Sequence, residues 1–186
     1  MLDKKASMRA ACHMLKTIML ECKEVKLSNG ETLLEHSLWS AHQALTEGCA
    51  EEVIVAALFH DIGHFLCNSD PEMTPYEKDC QHADLGAQWL NRWFPQSVCI
   101  PIQLHIDAKR YLITVNENYN DQLSSGSLSS LLNQGGRMTS EEILAFQNQP
   151  YHHDALSIRK FDDTPYDNGF VNAYSRYEKI IMAVMR

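Results

Sequence analysis

Apolar positions recur at helical spacing along most of this chain. Between Asp3 and Cys22 they fall at Ala11, Met14, Leu15, Ile18 and Cys22, which is one face of an amphipathic helix, with His13 off the stripe. Ser28-Asn29-Gly30 marks a turn. A second stripe, Leu34, Leu38, Ala41 and Leu45, runs along Glu31–Glu47 with His36 at its edge. Gly48 closes that helix, and Glu51 and Glu52 open the next, where negative charge suits the positive end of the helix dipole. Val53–His64 is apolar nearly all round and predicts a central helix buried on every side. Cys67–Lys78 carries two prolines and several charges and reads as an exposed loop, either an ordinary connector or a lid. Gln81–Phe94 and Val98–Val115 are further helices, separated at Pro95. Asn116–Met138 is rich in Ser, Asn and Gly and reads as loop. Thr139 with Glu142 forms a capping box for a short helix that Pro150 ends. Tyr151–Gly169 reads as irregular, and Phe170–Met185 as a closing helix with Val171, Tyr174, Tyr177 and Ile181 on one side. Strand signals are weak everywhere, so the expected fold is an all-α bundle, one domain over 1–186.

Composition narrows the partners. A chain of 186 residues buries roughly 70% of its unfolded surface and needs no covalent staples. A net charge of -8 and a pI near 5.5 argue against nucleic acid or an anionic membrane as partner. They leave room for a small anion, because a few placed cations offset the global field. The six cysteines, Cys12, Cys22, Cys49, Cys67, Cys80 and Cys99, form no C-x-x-C pair and read as reduced thiols. With no run of about 18 apolar residues and no signal-peptide pattern at Met-Leu-Asp-Lys-Lys, the expected location is the cytoplasm.

The chemistry gathers around Ala56–His64. Its apolar run delivers His60 and Asp61 side by side, with His64 one turn later. Burying an imidazole and a carboxylate costs several kcal/mol unless they are paired or bind metal. Each histidine taken singly has an ordinary reading as a packed or surface residue. Taken together, His36, His60-Asp61, His82, His105 and Asp162 come from five elements and lie on or beside buried faces or turns. Four imidazoles and two carboxylates can hold two ions that share one carboxylate and still leave positions for substrate.

The order His36, His60-Asp61, Asp162 resembles the HD-domain superfamily of helical metal-dependent enzymes, and His82 and His105 point to its two-metal branch. By that resemblance one ion is held by His36, His60, Asp61 and Asp162, and the second by Asp61, His82 and His105. Most of the superfamily are phosphohydrolases. Leu34-Glu35-His36-Ser37, Gln81-His82, His105-x-x-Ala108-Lys109-Arg110-Tyr111-Leu112, Gln134-Gly135-Gly136-x-Met138 and Ile158-Arg159-x-x-Asp162 are more similar to its mixed-valent di-iron oxygenases, those that act on organophosphonates. The similarity runs from about residue 30 to 165. It implies two iron ions, Fe(II)/Fe(III), with O2 as co-substrate and a small anionic phosphonate as substrate. The reaction would cleave the C–P bond of a 1-hydroxy-alkylphosphonate, 2-amino-1-hydroxyethylphosphonate or an N-substituted analogue. Products would be phosphate and a carboxylate such as glycine.

The same resemblance gives Lys109, Ser127 and Arg159 to the phosphonate and makes His64 a pocket histidine acting on substrate or oxygen. Gln134 is a further pocket residue, and Glu31 corresponds to a glutamate that reads the substrate amine. Residue spacing agrees for the cations: Lys109 lies one turn beyond His105, and Arg159 three residues before Asp162. One departure stands out. The branch carries a displaceable tyrosine ligand in the loop before its first histidine, and Val25–Glu35 holds no Tyr. Two other readings stay open: a phosphohydrolase of a small phosphoester or nucleotide, and a non-catalytic sensor or scaffold. The oligomeric expectation is a monomer or homodimer.

Overall fold

A computed structural model describes residues 2–27, 30–167 and 173–186. Apart from an isolated bridge between Lys26 and Thr32, the regular elements among them are helical. They are α1 (Leu2–Glu21), α2 (Leu33–Thr46), α3 (Glu51–Phe59), α4 (Ile62–Asn68), α5 (Pro75–Leu90), α6 (Gln96–Val115), α7 (Ser125–Asn133), α8 (Ser140–Gln147), α9 (His152–Asp162) and α10 (Glu178–Val184), with short 3-10 turns at Cys22–Glu24, Glu117–Gln122 and Tyr174–Arg176. None of the described helices is long and apolar enough to cross a membrane.

α3 is the axis of the bundle. Val53 to Phe59 are all buried, and α2, α6, α9 and α10 pack around it. Three of its residues, Val53, Ile54 and Val55, are poor helix formers, each costing a few tenths of a kcal/mol. Burying each side chain contributes roughly 1.5–3 kcal/mol, so packing decides the conformation. α2 begins at a capping box: Glu35 N–H donates to Thr32 Oγ1 at 3.1 Å, and Thr32 N–H to Glu35 Oε2 at 2.7 Å. That start fixes the azimuth of His36 one residue later.

The expected central helix is not continuous. α3 ends at Phe59, Asp61 takes φ -100° and ψ 8°, and α4 restarts at Ile62. In an unbroken helix, neighbouring side chains diverge by about 100°. The break lets His60 and Asp61 face one centre. α4 also approaches α5 more closely than any side chain allows: a Cβ on Gly63 would sit 1.8 Å from the His82 carbonyl oxygen.

Other boundaries move too. The exposed stretch expected over Cys67–Lys78 shrinks, because α4 runs to Asn68 and a Thr74/Glu77 capping box starts α5 at Pro75. The loop expected over Asn116–Met138 contains α7, started by Ser124, whose Oγ accepts from Ser127 N–H at 3.1 Å. Most of the stretch expected to be irregular, Tyr151–Gly169, is helical: Tyr151 takes a left-handed φ of 62°, and α9 follows directly to Asp162, while Asn168 and Gly169 lie outside the described residues. Its apolar period is incomplete in the sequence because two of the residues that turn inward, Arg159 and Asp162, are charged. The closing helix is shorter than expected, and Phe170 and Val171 of that expectation lie outside the described residues, as do Ser28 and Asn29 of the first turn.

Gly63→Ala is expected to lower stability by about 3 kcal/mol, since backbone rather than a flexible side chain blocks the methyl. Gly48→Ala meets open space and strains only its positive φ, costing about 1 kcal/mol. Urea midpoints of the two variants check the order; equal shifts contradict the close crossing.

Candidate metal centre

Five elements bring the six residues together. His36 comes from α2, His60 and Asp61 from the α3–α4 junction, His82 from α5, His105 from α6 and Asp162 from the end of α9. Ligand atoms of His36, His60, Asp61 and Asp162 lie within 4.8 Å of one another, as do those of Asp61, His82 and His105. In the first group His36 Nε2 is 3.2 Å from His60 Nε2 and 3.1 Å from Asp162 Oδ1. In the second, His82 Nε2 and His105 Nε2 are 3.1 Å apart. Asp61 divides its carboxylate between them. Oδ2 faces His36 and His60 at 3.7 and 3.6 Å, and Oδ1 faces His82 and His105 at 3.5 Å each.

The imidazoles are braced from behind. Nδ1 of His60, His82 and His105 each meets the backbone carbonyl three residues earlier, Ala57 at 2.8 Å, Asp79 at 3.0 Å and Ile102 at 2.7 Å. A carbonyl only accepts, so these nitrogens carry the proton and Nε2 keeps its lone pair. His36 Nδ1 is braced by Glu31 Oε1 at 3.2 Å.

These donors suit a metal. Burial pushes His105 down to about 4 and His82 well below the usual imidazole range, so both rings are neutral at pH 7. Two lone pairs facing each other at 3.1 Å repel unless a cation lies between them. On the other side burial alone would lower His36, but its hydrogen bonds to Asp162 and Glu31 outweigh burial and push it up to about 10. A field that binds a proton that tightly favours a metal ion in the same place. Burial also opposes the charge on Asp162, and the Arg159 guanidinium overrides it, holding that carboxyl well below the carboxylate range. Imidazole and carboxylate together suit iron, manganese or zinc.

Beside this centre opens a cavity of about 1240 Å³, whose walls include Asp61, His64, Lys109, Ser127, Gln134 and Arg159. His64 stacks on His82, with ring centroids 3.9 Å apart, and its Nε2 lies 3.9 Å from Asp61 Oδ1. Lys109 is buried; its ammonium donates to Ser130 Oγ at 2.7 Å, and burial, then Arg159, push it down to about 8. Ser127 is not in a loop but in the first turn of α7, where its Oγ accepts from Arg159 Nη2 at 3.2 Å. Gln134 donates its amide to the Asp79 carbonyl at 3.0 Å. Glu31 reaches the cavity wall while standing behind His36.

Sequence reasoning overlooked Ser130, which accepts from Lys109, Asp163, which accepts from Arg159, and Tyr119, whose hydroxyl donates to Asp163. Only Asp163 carried a signal, as the second acid of Asp162-Asp163 one turn after Arg159.

The HD domain family matches residues 33–145. Hydroxymethylphosphonate dioxygenase of Gimesia maris is 47% identical over 133 residues, 71% of this chain and 66% of that protein. The glycine-betaine-forming [1-hydroxy-2-(trimethylamino)ethyl]phosphonate dioxygenase of Leisingera caerulea is 36% identical over 140 residues, 75% and 71% of the two chains. The matched region thus spans about two thirds of each relative's length.

His82→Ala is expected to reduce bound metal from two ions per chain to one, because only the Asp61–His82–His105 group loses a donor. Asp61→Ala removes a donor from both groups and takes the content below one. Elemental analysis of purified protein reads this directly; unchanged content contradicts the grouping.

Proposed function

The chain belongs to the HD-domain family, and from that premise we propose that it is a di-iron oxygenase cleaving the C–P bond of a 1-hydroxy-alkylphosphonate. The observation that carries this reading is the pair of lone-pair clusters joined through Asp61 and opening on a cavity walled by Lys109 and Arg159. The relatives support it through their names: one acts on a phosphonate with a bare hydroxymethyl group, the other on one with a trimethylamino substituent. We take hydroxymethylphosphonate as the first substrate to test.

The stoichiometry closes without further reactants. Hydroxymethylphosphonate and O2 give formate, phosphate and one proton. The C–P, one C–H and O–O bonds break, both oxygen atoms enter the products, and the carbon gives up the four electrons that O2 takes. No external reductant is required. Bound iron supplies the redox chemistry and the activation of O2. His36, His60, Asp61 and Asp162 would hold one ion, and Asp61, His82 and His105 the other.

The remaining residues bind and orient. Lys109 presents an ammonium to the phosphonate from a buried position, where a charge–charge contact is stronger than in water. Ser127 and Arg159 line the same cavity, and the hydroxyl and guanidinium fix the oxyanion's rotation. His64, stacked on His82 with Nε2 near Asp61 Oδ1, is placed to hydrogen-bond the 1-hydroxyl and hold its proton at Nε2. Bringing the C1 atom and both ions into one fixed arrangement is the protein's main contribution to rate.

Iron-loaded protein mixed with hydroxymethylphosphonate under argon should release no phosphate, and admission of air should start release with formate in equal amount. Equal release without oxygen, or phosphate set free only from phosphoesters, overturns the reading. A second outcome concerns Lys109. Its ammonium is the form that attracts an anion, and it is lost as pH rises through about 8. The KM for the phosphonate should therefore climb above pH 8 in the wild type and stay flat over that range in Lys109→Met.

A further inference from the structure

Arg159 has few donors left for a substrate. Its Nε donates to Asp163 Oδ2 at 2.7 Å and its Nη2 to Asp163 Oδ1, a two-point fork. Nη2 also donates to Ser127 Oγ at 3.2 Å, and Nη1 reaches Asp162 Oδ2 at 2.5 Å. Four of its five N–H groups are engaged in this way. Asp163 is fixed in turn by the Tyr119 hydroxyl, which donates to Oδ2. Tyr119 stands in the 3-10 turn after α6 and packs with Ile113, Leu123 and Leu131. The Arg159 and Asp163 side chains are only 4% and 5% exposed.

A buried ion pair contributes little net stability, so its presence calls for another reason, and fixing a geometry is the best attested. Here the geometry is that of Asp162. Its Oδ2 is engaged by Arg159, and Oδ1 alone points at His36 and His60, 3.1 and 3.7 Å away. A guanidinium free to rotate would release Oδ2, and the carboxylate would then lose the fixed orientation that aims Oδ1 between His36 and His60.

We propose that Asp163 and Tyr119 are positioning residues of the metal centre: they lock Arg159 so that Asp162 offers a single oxygen to the ion it shares with His36 and His60. The inference rests on the ligand assignment above and not on the reaction. Asp163→Asn keeps the shape, but the amide has one acceptor, and its N–H groups face a guanidinium N–H. Tyr119→Phe removes only the hydroxyl.

The test titrates Mn(II) alone into the full-length metal-free protein and reads free Mn(II) by EPR. In a His82→Ala background, where the His36–Asp162 group remains, Asp163→Asn should weaken Mn(II) binding ten- to roughly a hundredfold. Tyr119→Phe should shift it the same way by a smaller factor. In an Asp162→Ala background both should change binding by less than about twofold, since the oxygen they position is gone. Equal weakening in the two backgrounds marks a charge or folding effect and overturns the proposal, as does no weakening in the first. Should Asp163→Asn fail to fold, the Tyr119→Phe comparison decides by the same criterion. Because phosphate release is not measured, a failed oxygenase assay leaves this result intact.

Discussion

The structure depends on one carboxylate lying between two groups of imidazoles. Asp61 is 7% exposed, and a charge that deep costs several kcal/mol unless opposite charge or strong donors surround it. Its two oxygens face two different pairs of histidines, Oδ2 toward His36 and His60 and Oδ1 toward His82 and His105. For that to hold, four helices must bring their imidazoles to the same point. The break between α3 and α4, the close crossing of α4 on α5 at Gly63 and the capped start of α2 each serve that convergence.

A local device recurs through the site. His60, His82 and His105 each turn Nδ1 back to the carbonyl three residues earlier, so the helix that carries the histidine also sets its tautomer and the direction of Nε2. At His36 the Nδ1 partner is a side chain instead, the carboxylate of Glu31. The substrate side is built differently. Lys109 and Arg159 are held by α7, by the turn after α6 and by the acid that follows Asp162, so the anion-facing wall depends on segments far apart in the chain.

Most of the helical order could be read from apolar spacing, because α1, α2, α5 and α6 each bury a stripe of aliphatic residues. α9 escaped notice for a definite reason: two of its inward positions, Arg159 and Asp162, are charged, since they serve the site rather than the core. α7 escaped because Ser and Gly dominate it and its stability comes from a cap and from packing Leu131 against Ile113 and Tyr119. The histidines and Asp162 were legible through their resemblance to a known pattern. The bracing roles were not: Glu31 was expected on the substrate amine but stands behind His36, and Asp163 showed only as the second acid of a pair but holds Arg159.

By itself the sequence determined the all-α class, the adjacency of His60 and Asp61 and the kinds of donor available, because helical periodicity and ligand chemistry are properties of residue type and spacing. Tertiary structure alone decided that Asp61 splits its oxygens between two clusters, that Glu31 backs a histidine and that Arg159 spends most of its donors on two acids. Those outcomes depend on distances between side chains remote in the chain, and such distances are set by how helices cross and where a helix breaks, which no local pattern encodes.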